Sequence, residues 1–221
     1  FCKTCILLFG LLNRLVNLEN NMGRTSDARE RLIQSAIELI HSRSYASVGV
    51  NELCSNAGVN KGSFYHFFPS KIDLTSAALD EIAAWYQRNI YRPAFAKDLP
   101  PLERIQRYFQ LVYEFHSSLT EVAGRMEGCH FGNLAAEMST QDEVIREKVK
   151  GMFESGVAMF EQVLQEAVTN GDLPDIDVSL AAHALQAYLE GIVLMAKTWN
   201  DPEMIRRLAQ GAAQLVMAGK H

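Results

Sequence analysis

The sequence predicts an all-α protein, and three observations carry that expectation. From Met22 onward apolar residues recur at helical spacing and nowhere alternate as a strand would. Capping and stopping residues divide the chain into nine or ten helix-length segments. Near the N-terminus two short segments meet at a glycine turn, whereas the later segments are long. The expected division is residues 1–21, a three-helix unit over 22–71 and a larger helical unit over 72–221.

At 221 residues, 48% hydrophobic and 21% charged, the chain has the balance of a globular protein, which excludes disorder and collagen-like order. The longest apolar run, Ile6 to Leu12, is too short to cross a bilayer, so no membrane partner is expected. Four cysteines do not make a disulfide scaffold, and a cytoplasmic setting is expected. Residues 1–21 lack a small-residue cleavage site. Two readings of them stand: a non-native or over-extended leader before Met22, or an amphipathic helix with Leu8, Leu11, Leu12, Leu15 and Val16 on one stripe. The Cys2-x-x-Cys5 pair within them has no second pair and is a weak signal.

The helices follow in order. Asp27 with Glu30 reads as a cap for a helix carrying Leu32, Ile33, Ala36, Ile37 and Ile40. A short helix over 50–57 is stopped by Gly58, and Asn60 caps another over 61–67, ended by Pro69. Ser70 with Asp73 opens a fourth helix to about Ile90. Pro93, Pro100 and Pro101 interrupt the chain before a helix over 102–118, and a short segment spans 128–138. Thr140 and Glu143 form a capping box for a long helix to about Thr169, where Gly171 suits the left-handed position. Asp177 caps a helix over 178–198, and Asp201-Pro202 opens a last one ending near Gly219.

The net charge of −5 argues against nucleic acid only until it is located. Residues 1–21 carry +1 and residues 22–71 carry +2, which leaves −8 for the rest. The mildly basic part holds the stretch Tyr45 to Lys71, YASVGVNELCSNAGVNKGSFYHFFPSK. Leu53 and Ala57 face inward from its first helix, and Gly58 gives the turn its backbone freedom. The second helix presents Lys61, Gly62 and Ser63 at its N-terminal end, where free N–H groups suit phosphate. Tyr65 and His66 follow as polar-tipped aromatics. The pattern is a helix-turn-helix with its recognition helix over 61–67.

Ala57-Gly58-Val59, then Lys61-Gly62-Ser63-Phe64-Tyr65-His66-Phe67-Phe68, then Ser70-Lys71, resemble the TetR/AcrR family of one-component transcriptional regulators. The resemblance implies an N-terminal helix-turn-helix domain followed by a helical ligand-binding and dimerisation domain. It also implies a double-stranded DNA operator as partner, met by Arg24, Asn60, Lys61, Gly62, Ser63, Tyr65, His66 and Lys71. Arg24 would lie in a flexible arm before the first helix. Phe64, Phe67 and Phe68 would pack inside. Family members carry Thr or Ser pairs before the second helix, where this chain has Val48-Gly49. Ser47, or the backbone of Val50 and Asn51, would have to replace that phosphate contact.

A second segment, Glu127-Gly-Cys-His-Phe-Gly-Asn-Leu-Ala-Ala-Glu-Met138, is similar to one TetR subgroup whose members answer small reactive or carboxylic metabolites. Gly128 and Gly132 would let a short helix pass close to its neighbours, and Asn133 would satisfy a buried amide or a ligand carboxylate. Cys129, near a helix start with His130 adjacent and Arg125 a turn earlier, reads either as a thiolate sensor of oxidants and electrophiles or as a small buried hydrophobe. Cys54 reads as core. His116, His130 and His183 have no ligand spacing, so neither metal nor cofactor is expected.

A small-molecule inducer would sit between helices of the larger unit. The candidate lining is Trp85, Tyr86, Phe109, Tyr113, His116, Cys129, Asn133, Phe153 and Tyr188, each of which also has a core-packing reading. The helix over 178–198 is apolar most of the way round and must be buried on more than one side. With the last helix it offers a homodimer surface of Ala184, Leu185, Tyr188, Ile192, Met195, Leu208, Ala212, Leu215 and Val216. The expected function is a homodimeric repressor released from a palindromic operator by its inducer, with the fourth helix as lever. The alternatives are activation, and a helical binding protein or enzyme without DNA. Nucleophile elbows, phosphate loops and metal motifs are missing from the sequence, so no catalytic residue is expected.

Overall fold

The computed structural model describes the backbone of residues 24–218 and the side chains of 27–216. Both readings of residues 1–21, and Cys2-x-x-Cys5, lie outside the described residues. Within them the helices are α1 (Arg24–Ser42), α2 (Val50–Ala57), α3 (Lys61–Phe67), α4 (Lys71–Tyr86), α5 (Arg92–Ala94), α6 (Pro101–Ala123), α7 (His130–Met138), α8 (Glu143–Asn170), α9 (Val178–Trp199), α10 (Glu203–Ala209) and α11 (Ala212–Ala218). A π-helical turn, Gln87–Tyr91, joins α4 to α5. No strand occurs among the described residues. Two compact units form, one from 24–82 with 133–148, the other from 83–132 with 149–218. The division falls inside α4, eleven residues beyond Lys71.

In the first unit, Leu32, Ala36, Leu53, Phe64 and Leu74 are essentially sealed from solvent. Burying a phenylalanine such as Phe64 completely contributes up to about 3 kcal/mol. Polar ties fix α1 to α2: Ser35 Oγ donates to the Leu53 carbonyl at 3.0 Å and Arg31 Nε to the Ala57 carbonyl at 2.9 Å. Gly58, at φ 63°, ends α2, while the Gly58 and Val59 amides close back onto the Ser55 and Cys54 carbonyls.

In the second unit, α6 packs on α10, and α9 packs on α10 and α11. Tyr91, Phe95, Tyr108, Phe109 and Phe160 form one aromatic cluster, with the Tyr91 and Tyr108 rings nearly parallel at 5.5 Å. Arg104, buried on α6, makes a two-pronged bond to Glu166 of α8, at 2.9 and 2.7 Å.

Several sequence expectations are corrected. Asp27 does not precede α1 but sits in its first turn, paired with Arg31 one turn on. The helix begins at Arg24, which therefore opens α1 instead of lying in an arm before it. The fourth helix does not simply end near Ile90. The π turn carries the chain past that point, and Pro93 sits near the start of α5. The next helix runs five residues past Ser118, because its stop is Gly124 at φ 72°. Asp142, not Thr140, caps α8: its carboxylate accepts from the Ile145 amide at 3.0 Å. The last helix is two helices. Tyr188 Oη donates to the Leu208 carbonyl at 2.7 Å, and the Gly211 amide donates to the same oxygen, so the α-helical ladder is interrupted there.

Candidate functional site

The recognition segment is built from the inside out. Phe64 anchors α3 in the core, and Phe68, also buried, follows its last turn. That leaves Lys61, Gly62, Tyr65 and His66 exposed along one side, with Ser63 half-buried. Asn60 caps the helix by accepting from the Ser63 amide at 2.7 Å, so that N–H is already satisfied within the chain. Gly49 is the N-cap of α2 and makes no side-chain cap bond. Ser47 is exposed, with its hydroxyl near the Ser44 carbonyl, and Asn51 is exposed in the first turn of α2. The side chain of Arg24 lies outside the described residues.

Lys71 is placed differently from its neighbours in the motif. Its ammonium donates to the Tyr45 carbonyl at 2.7 Å and the Val48 carbonyl at 2.9 Å, and lies 3.7 Å from the centre of the Tyr45 ring. Burial lowers its pKa, and Glu137 opposes that shift. Glu137, on α7, accepts from the Tyr45 amide at 2.8 Å and the Ala46 amide at 2.7 Å. The loop before α2 is therefore held by a cation on its carbonyls and a carboxylate on its amides. Lys71 is thus a structural tie within this unit.

The second unit contains a cavity of about 30 Å³. Tyr86, His116, Cys129 and Phe153, all in the expected lining, face it, together with Tyr91, Tyr108, Phe131, Gln186 and Glu190, among others. The other five expected residues are elsewhere. Trp85 leans on Phe115 at 4.8 Å, and Phe109 is buried against Phe160. Tyr113 bonds Glu203, Tyr188 bonds the Leu208 carbonyl, and Asn133 belongs to the first unit. The π turn is what brings Tyr91 inside, since its extra residue shifts the helical phase.

Cys129 Sγ donates to Glu190 Oε1 at 3.6 Å and accepts from the Gly132 amide at 3.3 Å. The helix-start geometry is thus present, but the surroundings oppose the thiolate. Burial, and then the Glu190 carboxylate, push the Cys129 thiol well up, outweighing the amide. Burial likewise pushes Glu190 up to about 7. Gln186, 7% exposed, donates from Nε2 to Glu190 at 3.4 Å, while its Oε1 has no hydrogen-bond partner.

The expected dimer surface is also revised. Leu185, Ile192, Ala212 and Val216 are buried within the chain, because α10 and α11 cover that side of α9. Ala184, Leu208 and Leu215 are half-buried and Met195 is exposed. The uncovered face of α9 instead carries Leu180, Leu194 and Trp199, the last two 62% exposed, around the small Ala187 and Gly191. By length and composition α9 is apolar enough to cross a membrane. Its Asp177 cap and packed inner side are those of a core helix.

A helix-turn-helix with an exposed polar recognition face, joined to a helical unit with its own cavity, is the construction of a DNA-binding regulator. Comparison with known proteins agrees. Residues 32–78 match the model for bacterial regulatory proteins of the tetR family, and 101–212 match the tetracyclin repressor-like C-terminal domain. Transcriptional regulator AcuR of Cereibacter sphaeroides is 31% identical over 177 residues, covering 80% of this chain and 79% of that one. The repressor DhaR of a Mycobacterium is 29% identical, covering 82% and 88%. A crystal structure of a TetR regulatory protein from Rhodobacter sphaeroides superposes with a TM-score of 0.76 at 29% identity, covering 85% and 98%. The chain belongs to the TetR family of bacterial transcriptional regulators and binds DNA through its helix-turn-helix.

Proposed function

We propose that the protein is a homodimeric repressor released from a palindromic operator by a small molecule seated in the cavity of the second unit. The observation that carries this reading is that cavity: a partly open, mainly apolar site that holds a buried unsatisfied acceptor, in a chain whose other unit reads DNA. The uncovered face of α9 supports dimerisation, since leucine and tryptophan exposed beside small residues suit a helix-to-helix contact. A two-fold dimer sets two recognition helices about 34 Å apart, one turn of DNA, which matches a palindrome. Lys61, Ser63, Tyr65 and His66 are the side chains placed to read or position on it. The inducer acts by binding the released state more tightly than the DNA-bound state. α4, α7 and α8 each contribute residues to both units and are the levers.

Thiol-directed induction is a second reading, favoured by the position of Cys129 on the cavity wall. A thiol-reactive electrophile would form a bond to Sγ while Glu190, 3.6 Å away, takes the thiol proton. Footprinting on the DNA upstream of the protein's own gene tests the main reading. A symmetric footprint lost on adding an effector is the expected result, and no footprint at low salt would overturn it. Retained electrophile response in Cys129→Ser removes the second reading.

A further inference from the structure

The chemistry of the cavity selects a class of ligand. Two neighbouring acceptors in it are short of donors. The Glu190 carboxylate has only the Cys129 thiol and the Gln186 amide as partners, and Gln186 Oε1 has none. No lysine or arginine is among the lining residues. An acceptor left bare in a buried site costs about 1–3 kcal/mol, so a ligand that donates to it recovers that energy. A ligand carboxylate would find no lysine or arginine, with His116 and the tyrosine hydroxyls as its available donors, and would face Glu190. Tyr86, Tyr91, Tyr108 and Phe131 supply the remaining wall, and aromatic rings attract organic cations. The space is small: about 30 Å³ holds roughly two water-sized groups, so a ligand of a few heavy atoms enters by displacing the side chains around it.

Two glycines keep this arrangement in place. A Cβ at Gly132 would meet Glu190 Oε2, and one at Gly156 would meet Gln186 Oε1. The backbone is thus cut away where each polar head is seated.

We propose that the cavity binds a small primary alkylammonium ion, its N–H groups shared between the Glu190 carboxylate and Gln186 Oε1 and its methylenes against the tyrosine and phenylalanine rings. This inference rests on the inducer reading above and names the chemical class of that inducer. The rival classes are a small carboxylate and a neutral alcohol of the same size.

Titration calorimetry on the full-length protein at pH 8, at matched ionic strength, separates them. The ligands are propylammonium, propionate and 1-propanol. Propylammonium is expected to bind, and at least tenfold more tightly than either isostere. Glu190→Gln should weaken it at least tenfold, and Gln186→Met several-fold, with circular dichroism showing both variants folded. Tighter binding of propionate or propanol, undiminished ammonium binding in Glu190→Gln, or no binding by any of the three overturns the proposal. Operator release is read in the same samples. Release by another effector without ammonium binding sinks this inference and spares the repressor reading. Ammonium binding that leaves the operator complex intact supports the site and sinks the inducer reading.

Discussion

The Glu190 carboxylate occupies the space that a side chain at residue 132 would need. A Cβ on Gly132 would lie 2.5 Å from Glu190 Oε2 and 3.3 Å from Cys129 Cβ. Gly132→Ala is therefore expected to destabilise the protein by about 1–3 kcal/mol through overpacking. In a Glu190→Ala background the same change should cost less than about 1 kcal/mol, because the obstructing oxygen has gone. A double-mutant cycle by urea unfolding checks this. Equal costs in the two backgrounds would show that some other contact excludes the methyl group.

Burial raises Glu190 from its ordinary 4.5 to about 7. Between those values the folded chain holds a proton that the unfolded chain has released. Stability from this group is thus fully present below about pH 4.5 and is lost as pH rises through about 7. Cys129, His116, Tyr86, Tyr91, Tyr108 and Gln186 surround the same cavity, and the thiol and tyrosines whose pKa values are raised stay neutral across that range. Glu190→Gln keeps a neutral head group throughout. Relative to wild type it should gain stability between pH 5 and pH 8, by on the order of 2 kcal/mol. Denaturation at four pH values tests the sign, and parallel curves for the two proteins would contradict it.

The DNA-reading half was the more legible part of the chain, for a physical reason. Gly58, Asn60 and Phe64 act through local backbone geometry and a short spacing, and local rules find them. The cavity is assembled from distant segments, and periodicity does not report which faces meet. Glu190 nevertheless left a signal: among the residues of α9 only it and Lys197 are charged, and Glu190 lies mid-helix among apolar neighbours. Tyr91 left none, because the π turn that rotates it inward has no composition cue. Lys71 has a role that the motif does not report. Its motif position suggested DNA, whereas its ammonium is held by two carbonyls of the same unit.

Those carbonyls, with the amides held by Glu137, fix the loop that delivers α2. Glu137→Ala leaves the Tyr45 and Ala46 amides without their acceptor and removes the charge that opposes the lowering of the Lys71 pKa. A cost of about 1–3 kcal/mol is expected. Faster hydrogen exchange at Tyr45 and Ala46, with weaker operator binding, should accompany it. Unchanged exchange at those two amides would rule out the clamp.

Lys61 and Lys71 should separate in operator binding. Lys61 is exposed at the start of α3, whereas Lys71 is tied down. Lys61→Ala should weaken operator binding and lower the salt slope by about 1, the signature of one lost phosphate contact. Lys71→Met should leave the slope close to wild type and lower the melting temperature instead. Tyr65→Ala should weaken the operator complex without loss of fold, since the ring is 51% exposed. Affinity measured across a range of salt concentrations distinguishes these cases, and a lowered slope in Lys71→Met would restore it as a DNA contact.

The outer face of α9 gives the remaining prediction. Leu194 and Trp199 are each 62% exposed, so their replacement removes little packing within the chain. Leu194→Asp and Trp199→Asp should leave the folded protomer within about 0.5 kcal/mol of wild type. In a dimer closed by two copies of this face, the same charges oppose each other across a two-fold axis and lose their solvation. Sedimentation should then show the dissociation constant raised at least tenfold, with operator affinity falling in parallel because each half-site alone binds weakly. Leu185→Asp is the contrasting variant. Leu185 is sealed inside the chain, and its replacement should unfold the second unit rather than yield a folded monomer. A dimer that survives both outer-face substitutions would place the interface on another helix.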